Sequence, residues 1–179
     1  MGSLYNQSIP ILIKQMRNLS HHLTKAVQYA EQQNVKQEKM LEWRMLHDLQ
    51  GPLLYQIQSV LNAAKFLPFR IGALKEDTYF PDDERTFEEL LARTATTLQL
   101  LESVDEQFMD SLDGSEPVIM RTKGQNFKFA NRQAYIANFG MPNFYFHLTT
   151  AYFTLRSLGV RLTPMEFHGW GTLEKTDEP

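Results

Sequence analysis

The chain has 179 residues, 42% of them hydrophobic and 22% charged, with a formal net charge of −3, the profile of one ordinary globular domain. That balance gives no broad cationic field of the kind that grips nucleic acid regardless of sequence, and no run of about 18 apolar residues is present to span a membrane. There are no cysteines, which removes disulfides, thiolate nucleophiles and cysteine-ligated zinc or iron–sulfur centres. Asn6, Gln7, Lys14 and Arg17 interrupt the apolar residues of the N-terminus, unlike a secretory leader. A cytoplasmic location is the default expectation.

From Leu4 to about Gln33, apolar residues recur at Ile9, Leu12, Ile13, Met16, Leu19, Leu23, Ala26, Val27 and Ala30. Steps of three and four predict one amphipathic helix, with Pro10 near its start, where a missing N–H does least harm. Gln37 to Leu46 is expected as a short helix or an ordered loop. Gly51-Pro52 then punctuates the chain and sets the start of helix two. Its apolar residues are Leu53, Ile57, Val60, Ala63, Ala64 and Leu67, and it is expected to weaken before Pro68, because the residue preceding a proline avoids the α region.

Lys75 to Arg85 is polar, contains Pro81 and reads as a loop. Thr86-Phe87-Glu88-Glu89 is a capping box, in which the Thr and Glu side chains each satisfy an orphan backbone N–H. Helix three follows and ends somewhere over Asp105 to Phe108. Beyond it the period changes. Pro117–Thr122 and Asn126–Phe129 flank Lys123-Gly124-Gln125, which predicts a small β-hairpin that needs the helices for support. Asn131 offers an N-cap for helix four, which runs to about Leu158 and stops at Gly159. Pro142 falls inside it and should kink it. Residues 1–170 are expected to form one helical domain and 171–179 a polar, disordered tail. No repeat, heptad or low-complexity stretch stands out. The sum is an all-α, up-down four-helix bundle with a hairpin and a long connection between helices three and four. Bundles build ligand sites from side chains on facing helices.

Candidate chemistry centres on His147, inside the apolar and aromatic run Met141–Arg156. Asn143, Thr150 and Thr154 share its helical face and make a polar thread. A buried imidazole needs a partner. It is read either as a core histidine bonded to Asn143 or to a facing helix, or as a pocket acid/base or single metal ligand. Metal binding needs more strong ligands at helical spacing. Position i−4 is Asn143, position i+4 is Ala151, and helix two offers only Gln56 and Asn62.

The other histidines carry weaker signals. His21 and His22 are adjacent, about 100° apart on a helix, and are read as surface or partly buried residues without function. His47-Asp48 suits capping or loop packing. His168, near Trp170, is read as cover over a pocket or as plain surface. Dinucleotide, P-loop, serine-hydrolase-elbow and zincin motifs are missing. The adjacent acids Glu88-Glu89 and Asp82-Asp83-Glu84 are explained by solvation, and Arg156 and Arg161 by the negative pole of helix four.

Five runs occur in a characteristic order: Ser3–Pro10 (SLYNQSIP), Pro52–Gln58 (PLLYQIQ), Thr86–Leu90 (TFEEL), Pro142–Tyr152 (PNFYFHLTTAY) and Leu158-Gly159-Val160. Together, to about Gly169, they resemble the domain-of-unknown-function family nineteen ninety-three, which is similar to the DinB/YfiT-like superfamily. The resemblance implies a DinB/YfiT-like four-helix bundle and makes homodimerisation through helix faces an expectation. It also implies a place for a divalent metal, held in the superfamily by one histidine on helix two and a His-xxx-His pair on helix four. Here those positions read Gln56 and Asn143-xxx-His147, so the fold carries over and the metal does not. The stretch from Asp48 to Pro52 is also one residue longer than the family pattern, which shifts Asp48 relative to the site.

The expected function is a metal-independent small-molecule pocket inside the bundle, with a cofactor-independent lyase or isomerase as the enzyme class. His147 would be the acid/base. Asn143 would orient it or polarise a carbonyl, and Gln56 would supply a facing hydrogen bond. Tyr55, Asn62, Tyr135, Thr150 and Tyr152 are candidate lining residues. Apolar, aromatic walls favour a hydrophobic or aromatic ligand such as a secondary-metabolite intermediate, and dehydration, isomerisation, cyclisation or an aldol-type step would suit proton-transfer equipment. Two alternatives stand beside this one: a degenerate DinB-like metalloenzyme (hydrolase or thiol transferase), and a non-catalytic dimeric binding or stress protein.

Overall fold

A computed structural model describes residues 2–47, 51–122 and 124–169. The expectations for Asp48, Trp170 and the tail lie outside the described residues. Among these residues no helix is long and apolar enough to cross a membrane.

Helix α1 covers Ile9–Gln33. It starts later than Leu4 because Leu4–Ser8 form turns, in which the Tyr5 carbonyl accepts from the backbone N–H groups of Ser8 and Ile9. Pro10 sits in the first helical turn, where its missing donor is tolerated. The buried apolar stripe is Ile9, Leu12, Met16, Leu19, Leu23, Ala26 and Ala30. Its alternation of three and four is a heptad seam, contrary to the expectation that none stands out. Such a seam suits helices packed nearly in line. Helix α2, Gln37–Leu41, is short, and its Gln37 side chain accepts from the Phe87 N–H at 2.9 Å and donates to Glu88.

Helix α3 spans Leu53–Arg70 and runs through Pro68, contrary to the expected weakening. Leu67 and Pro68 are buried, and the Pro68 carbonyl accepts from the N–H groups of Ala73 and Leu74. Packing and this late closure outweigh the local preference of the pre-proline residue, and the lost donor falls in the last turn. Helix α4, Phe87–Glu102, opens on the expected capping box and ends at Ser103. A separate short helix, α5 (Glu106–Ser111), follows, capped by the Asp105 carboxylate on the Phe108 N–H.

Strands β1 (Val118–Thr122) and β2 (Gln125–Phe129) pair antiparallel, with Met120 opposite Phe127. Val118 and Met120 point to the core, and Phe129 packs edge-on against Tyr135 at 5.2 Å. Helix α6 (Arg132–Tyr135), capped by Asn131, leads through a π turn over Ile136–Gly140 into α7 (Met141–Ser157). The distortion expected from Pro142 therefore takes the form of a π turn just ahead of it. A final short helix, α8 (Pro164–His168), has its own capping box from Thr163 and Glu166.

The four long helices are α1, α3, α4 and α7. Helix α1 lies chiefly against α4, and α3 against α7; α4 also touches α3, and α7 touches α1. The result is an all-α four-helix bundle with a small hairpin between its third and fourth long helices, and α8 strapped across α1.

The loop before α4 is fastened by buried charge. The Arg93 guanidinium on α4 donates to Glu84 at 2.8 Å, to Asp82 at 2.6 Å and to Asn62 on α3 at 2.9 Å, while Gln58 donates to Glu84 at 2.8 Å. Burial pushes the Glu84 carboxyl up, but Arg93 and Gln58 together hold it below its ordinary value. Arg93→Met should destabilise the fold by about 3 kcal/mol or more, because it strands the buried Glu84 carboxylate. Urea unfolding measures this. Replacing both Arg93 and Glu84 with Met should cost less than the single change.

Candidate functional site

Helix α7 turns its polar thread towards α3. Thr150 and Thr154 satisfy themselves, each hydroxyl donating at 2.7 Å to the carbonyl one turn back. His147 cannot do that. Its Nδ1 lies 2.8 Å from Oε1 of Gln56, a fully buried residue on α3. An amide oxygen only accepts, so Nδ1 carries the proton and Nε2 keeps its lone pair. Nε2 has no hydrogen-bond partner among the described residues. Burial pushes the imidazole below the ordinary histidine value, so the ring is neutral at pH 7.

Two rings frame it edge-on: Tyr55 at 6.0 Å and Phe146 at 5.1 Å between centroids. Tyr55 reaches this place because of Gly51. That residue has φ +81°, and a β-carbon there would fall 2.4 Å from the Tyr55 ring. Gly51 is therefore required twice, for its backbone conformation and for space. Asn143 stands one turn before His147, half-buried, and makes no hydrogen bond to it. His147 is 7% exposed. Five cavities lined by described residues lie elsewhere on the molecule.

The structure brings Gln56 and Tyr55 to His147, with Asn143 and Thr150 one turn away on the same helix. It places the other three lining candidates elsewhere. Asn62 belongs to the Arg93 network. Tyr135, roughly three turns earlier than His147 along the helix, accepts from Arg70 at 3.1 Å and closes the hairpin end. Tyr152 points away from α3, with its ring 5.6 Å from His22 and 5.1 Å from Phe167. His47 and His168 are exposed.

The residue that sequence reasoning missed is His22. It is not at the surface but 1% exposed, and its Nε2 has no hydrogen-bond partner among the described residues. Its neighbour His21 is exposed and bonded to Glu166 at 2.9 Å. The signal was present: Gln15, Asn18 and His22 step by three and four beside the apolar seam, and all three are buried. Asn18 donates to the Phe167 carbonyl at 3.0 Å, and Glu166 accepts from Lys25 at 2.7 Å, so α8 is tied down over His22.

The profile of the family described as "Domain of unknown function (DUF1993)" matches residues 4–168. The chain belongs to that family. A crystal structure of a DinB family member protein from Shewanella denitrificans is similar to it, with a TM-score of 0.84 and 28% sequence identity over 97% of this chain and 96% of that chain. No curated protein matches the sequence. The DUF1993 chain therefore has a DinB/YfiT-like fold.

The divalent metal that the resemblance implies would need a donor set that this site lacks. The described residues of this DUF1993 site supply one imidazole nitrogen, an amide oxygen already used by His147, and the Asn143 amide. No group of three His, Cys, Asp or Glu residues is gathered anywhere among the described residues. A zinc or iron site needs about three strong protein donors, so these residues do not fit one.

Buried His22 has a measurable consequence for stability. Burial pulls its imidazole down to about 4, helped by the charges of His21 and Lys25 and opposed by Glu166. Burial pushes the Glu166 carboxyl up, yet Lys25, His21 and Thr163 hold it well below the ordinary carboxylate range, so it stays charged throughout this window. The unfolded chain takes a proton at His22 near pH 6.5, the folded chain only near pH 4. The His22 contribution is therefore complete above about pH 6.5 and declines as pH falls towards 4, by about 3 kcal/mol in all. Urea midpoints measured across that range should fall accordingly, and His22→Leu should flatten the dependence.

Proposed function

We propose that this DUF1993 bundle is a metal-independent acid/base catalyst acting on a small hydrophobic or aromatic metabolite, of the dehydratase, isomerase, cyclase or aldol type. One observation carries the reading. The Nδ1–H of His147 is committed to Gln56 at 2.8 Å, and this leaves a neutral Nε2 as a base. Imidazole is suited to taking a proton and returning it near neutral pH.

In a dehydration, Nε2 takes the proton from the carbon beside a carbonyl. The electron pair of that C–H bond forms the new double bond as the hydroxyl leaves, and the imidazolium returns its proton to that hydroxyl, which departs as water. In an isomerisation the proton goes back to a different carbon. Gln56 acts as a positioning residue. Its neutral oxygen holds the ring and its tautomer without stabilising the imidazolium as strongly as a carboxylate would, so the proton is readily given up again. In this reading the Asn143 amide, one turn before His147 on the same helix, donates to a substrate carbonyl. Tyr55, Phe146 and Thr150 supply an aromatic and weakly polar wall, and aromatic rings favour a flat, apolar substrate.

The test uses a generic carbon acid, 1-phenyl-2-propanone, in deuterated water, with deuterium entry beside the carbonyl followed by NMR. Saturable exchange above the buffer rate is expected. His147→Gln, with an unchanged circular dichroism spectrum, should lower that rate by about 10²-fold or more. The wild-type rate should hold through neutral pH and drop only below the ordinary histidine range, where Nε2 becomes protonated. Equal exchange by wild type and His147→Gln, or none above buffer, would sink the proposal.

A further inference from the structure

The side of α7 opposite His147 carries groups that chemistry at His147 does not use. Arg156 follows His147 by about two and a half helical turns and so projects from the far side. There α7 and α8 leave a cleft of about 250 Å³, walled by Tyr152, Phe153, Pro164 and Phe167, with Arg156 and His168 at its edge. Phe153 is 47% exposed, a large ring standing in solvent beside the cleft. The Tyr152 ring meets Phe153 at 5.2 Å and Phe167 at 5.1 Å, both edge-on.

Arg156 is a cation without a counterion among the described residues. Its hydrogen bond is a long one, 3.4 Å to the Tyr152 hydroxyl, and its guanidinium lies 5.7 Å from that ring. Among the described residues no carboxylate pairs with it. The acid on α8, Glu166, is already taken by Lys25, His21 and the Thr163 N–H. The negative pole of α7 accounts for a cation at its C-terminus. It does not account for aromatic walls beside that cation.

We propose that this cleft binds a small aromatic carboxylate, with the ring among Tyr152, Phe153 and Phe167 and the carboxylate on the Arg156 guanidinium. A guanidinium presents a planar fork that matches a carboxylate. One unpaired arginine balances one negative charge, which favours a monoanion over a phosphate. A volume of about 250 Å³ is below the range for drug-sized ligands and suits a single ring. The site is separate from His147, so either proposal can fail without the other.

The full chain, labelled with ¹⁵N, is titrated with benzoate, with its neutral counterpart benzamide, and with acetate, which has the charge without the ring. Benzoate should give saturable shifts at the backbone amides of residues 149–156 and 164–168. Benzamide and acetate should each bind more weakly. Arg156→Gln, an exposed change that leaves the core intact, should weaken benzoate by about tenfold or more, the effect of one charge-assisted hydrogen bond. Phe153→Ala should weaken benzoate and leave acetate unchanged, and His147→Gln should leave benzoate binding intact. The proposal is overturned if benzoate and benzamide bind alike, if acetate matches benzoate, if the shifts map elsewhere or do not occur, or if Arg156→Gln behaves as wild type.

Discussion

Pro142 has no backbone N–H, so the helix arriving from Arg132 cannot continue its regular ladder there. The chain responds with a π turn over Ile136–Gly140, one wide turn that takes up the lost bond. Gly140 closes this turn directly against α3. A β-carbon there would lie 3.1 Å from Leu67 Cδ1 and 3.4 Å from the Tyr135 ring. The missing side chain sets how closely α7 approaches α3. From that anchor Phe144, Leu148, Ala151 and Leu155 run as a buried seam, and His147 falls within 2.8 Å of Gln56. The orientation of both sides of α7 follows from a proline and a glycine placed ahead of them.

Those two sides solve different physical problems. Towards α3 the helix buries an imidazole, which needs a partner or loses about 1–3 kcal/mol. Gln56 is that partner, and it is neutral. A carboxylate in the same place would favour the charged ring and raise its proton affinity. Away from α3, Tyr152 covers a second buried imidazole, His22, whose Nε2 has no hydrogen-bond partner among the described residues. The helix can be apolar almost all round because α3 covers one side of it and α8 partly covers the other.

Elements with local signals were legible in the sequence. The capping box at Thr86, the N-cap at Asn131, the stop at Gly159 and the hairpin each follow from neighbouring residues. The pairing of His147 was legible only in part: a buried imidazole needs a partner, but Asn143 and a facing helix were both open, and the contact is with Gln56 on α3. What escaped depends on contacts distant in sequence. Helix α3 passes Pro68 because Leu67 is buried against the bundle, which the pre-proline rule does not include. His22 is buried because α8 folds back from the other end of the chain to cover it. Asn62, Tyr135 and Tyr152 are polar or aromatic residues on the right helices, yet helical phase alone does not say which neighbour each one faces. Arg156 was readily explained as a charge at a helix end, and only the return of α8 shows that it borders an aromatic cleft.

In this DinB-like fold α3 and α7 face each other and bring Gln56 to His147. At the positions compared with metal ligands, this chain has one imidazole and two carboxamides. Carboxamides are poor metal donors, but they can set a tautomer or polarise a carbonyl, because each offers an acceptor and donors on a single plane. The exchange also alters the electrostatics. A bound divalent ion would bring local positive charge and hold the imidazole by its lone pair. With Gln56 as its partner, the imidazole stays neutral because burial disfavours its charged form, and Nε2 keeps its lone pair. On the proposed reading, the spacing of α3 and α7 that sets the 2.8 Å contact between His147 and Gln56 also positions a proton acceptor.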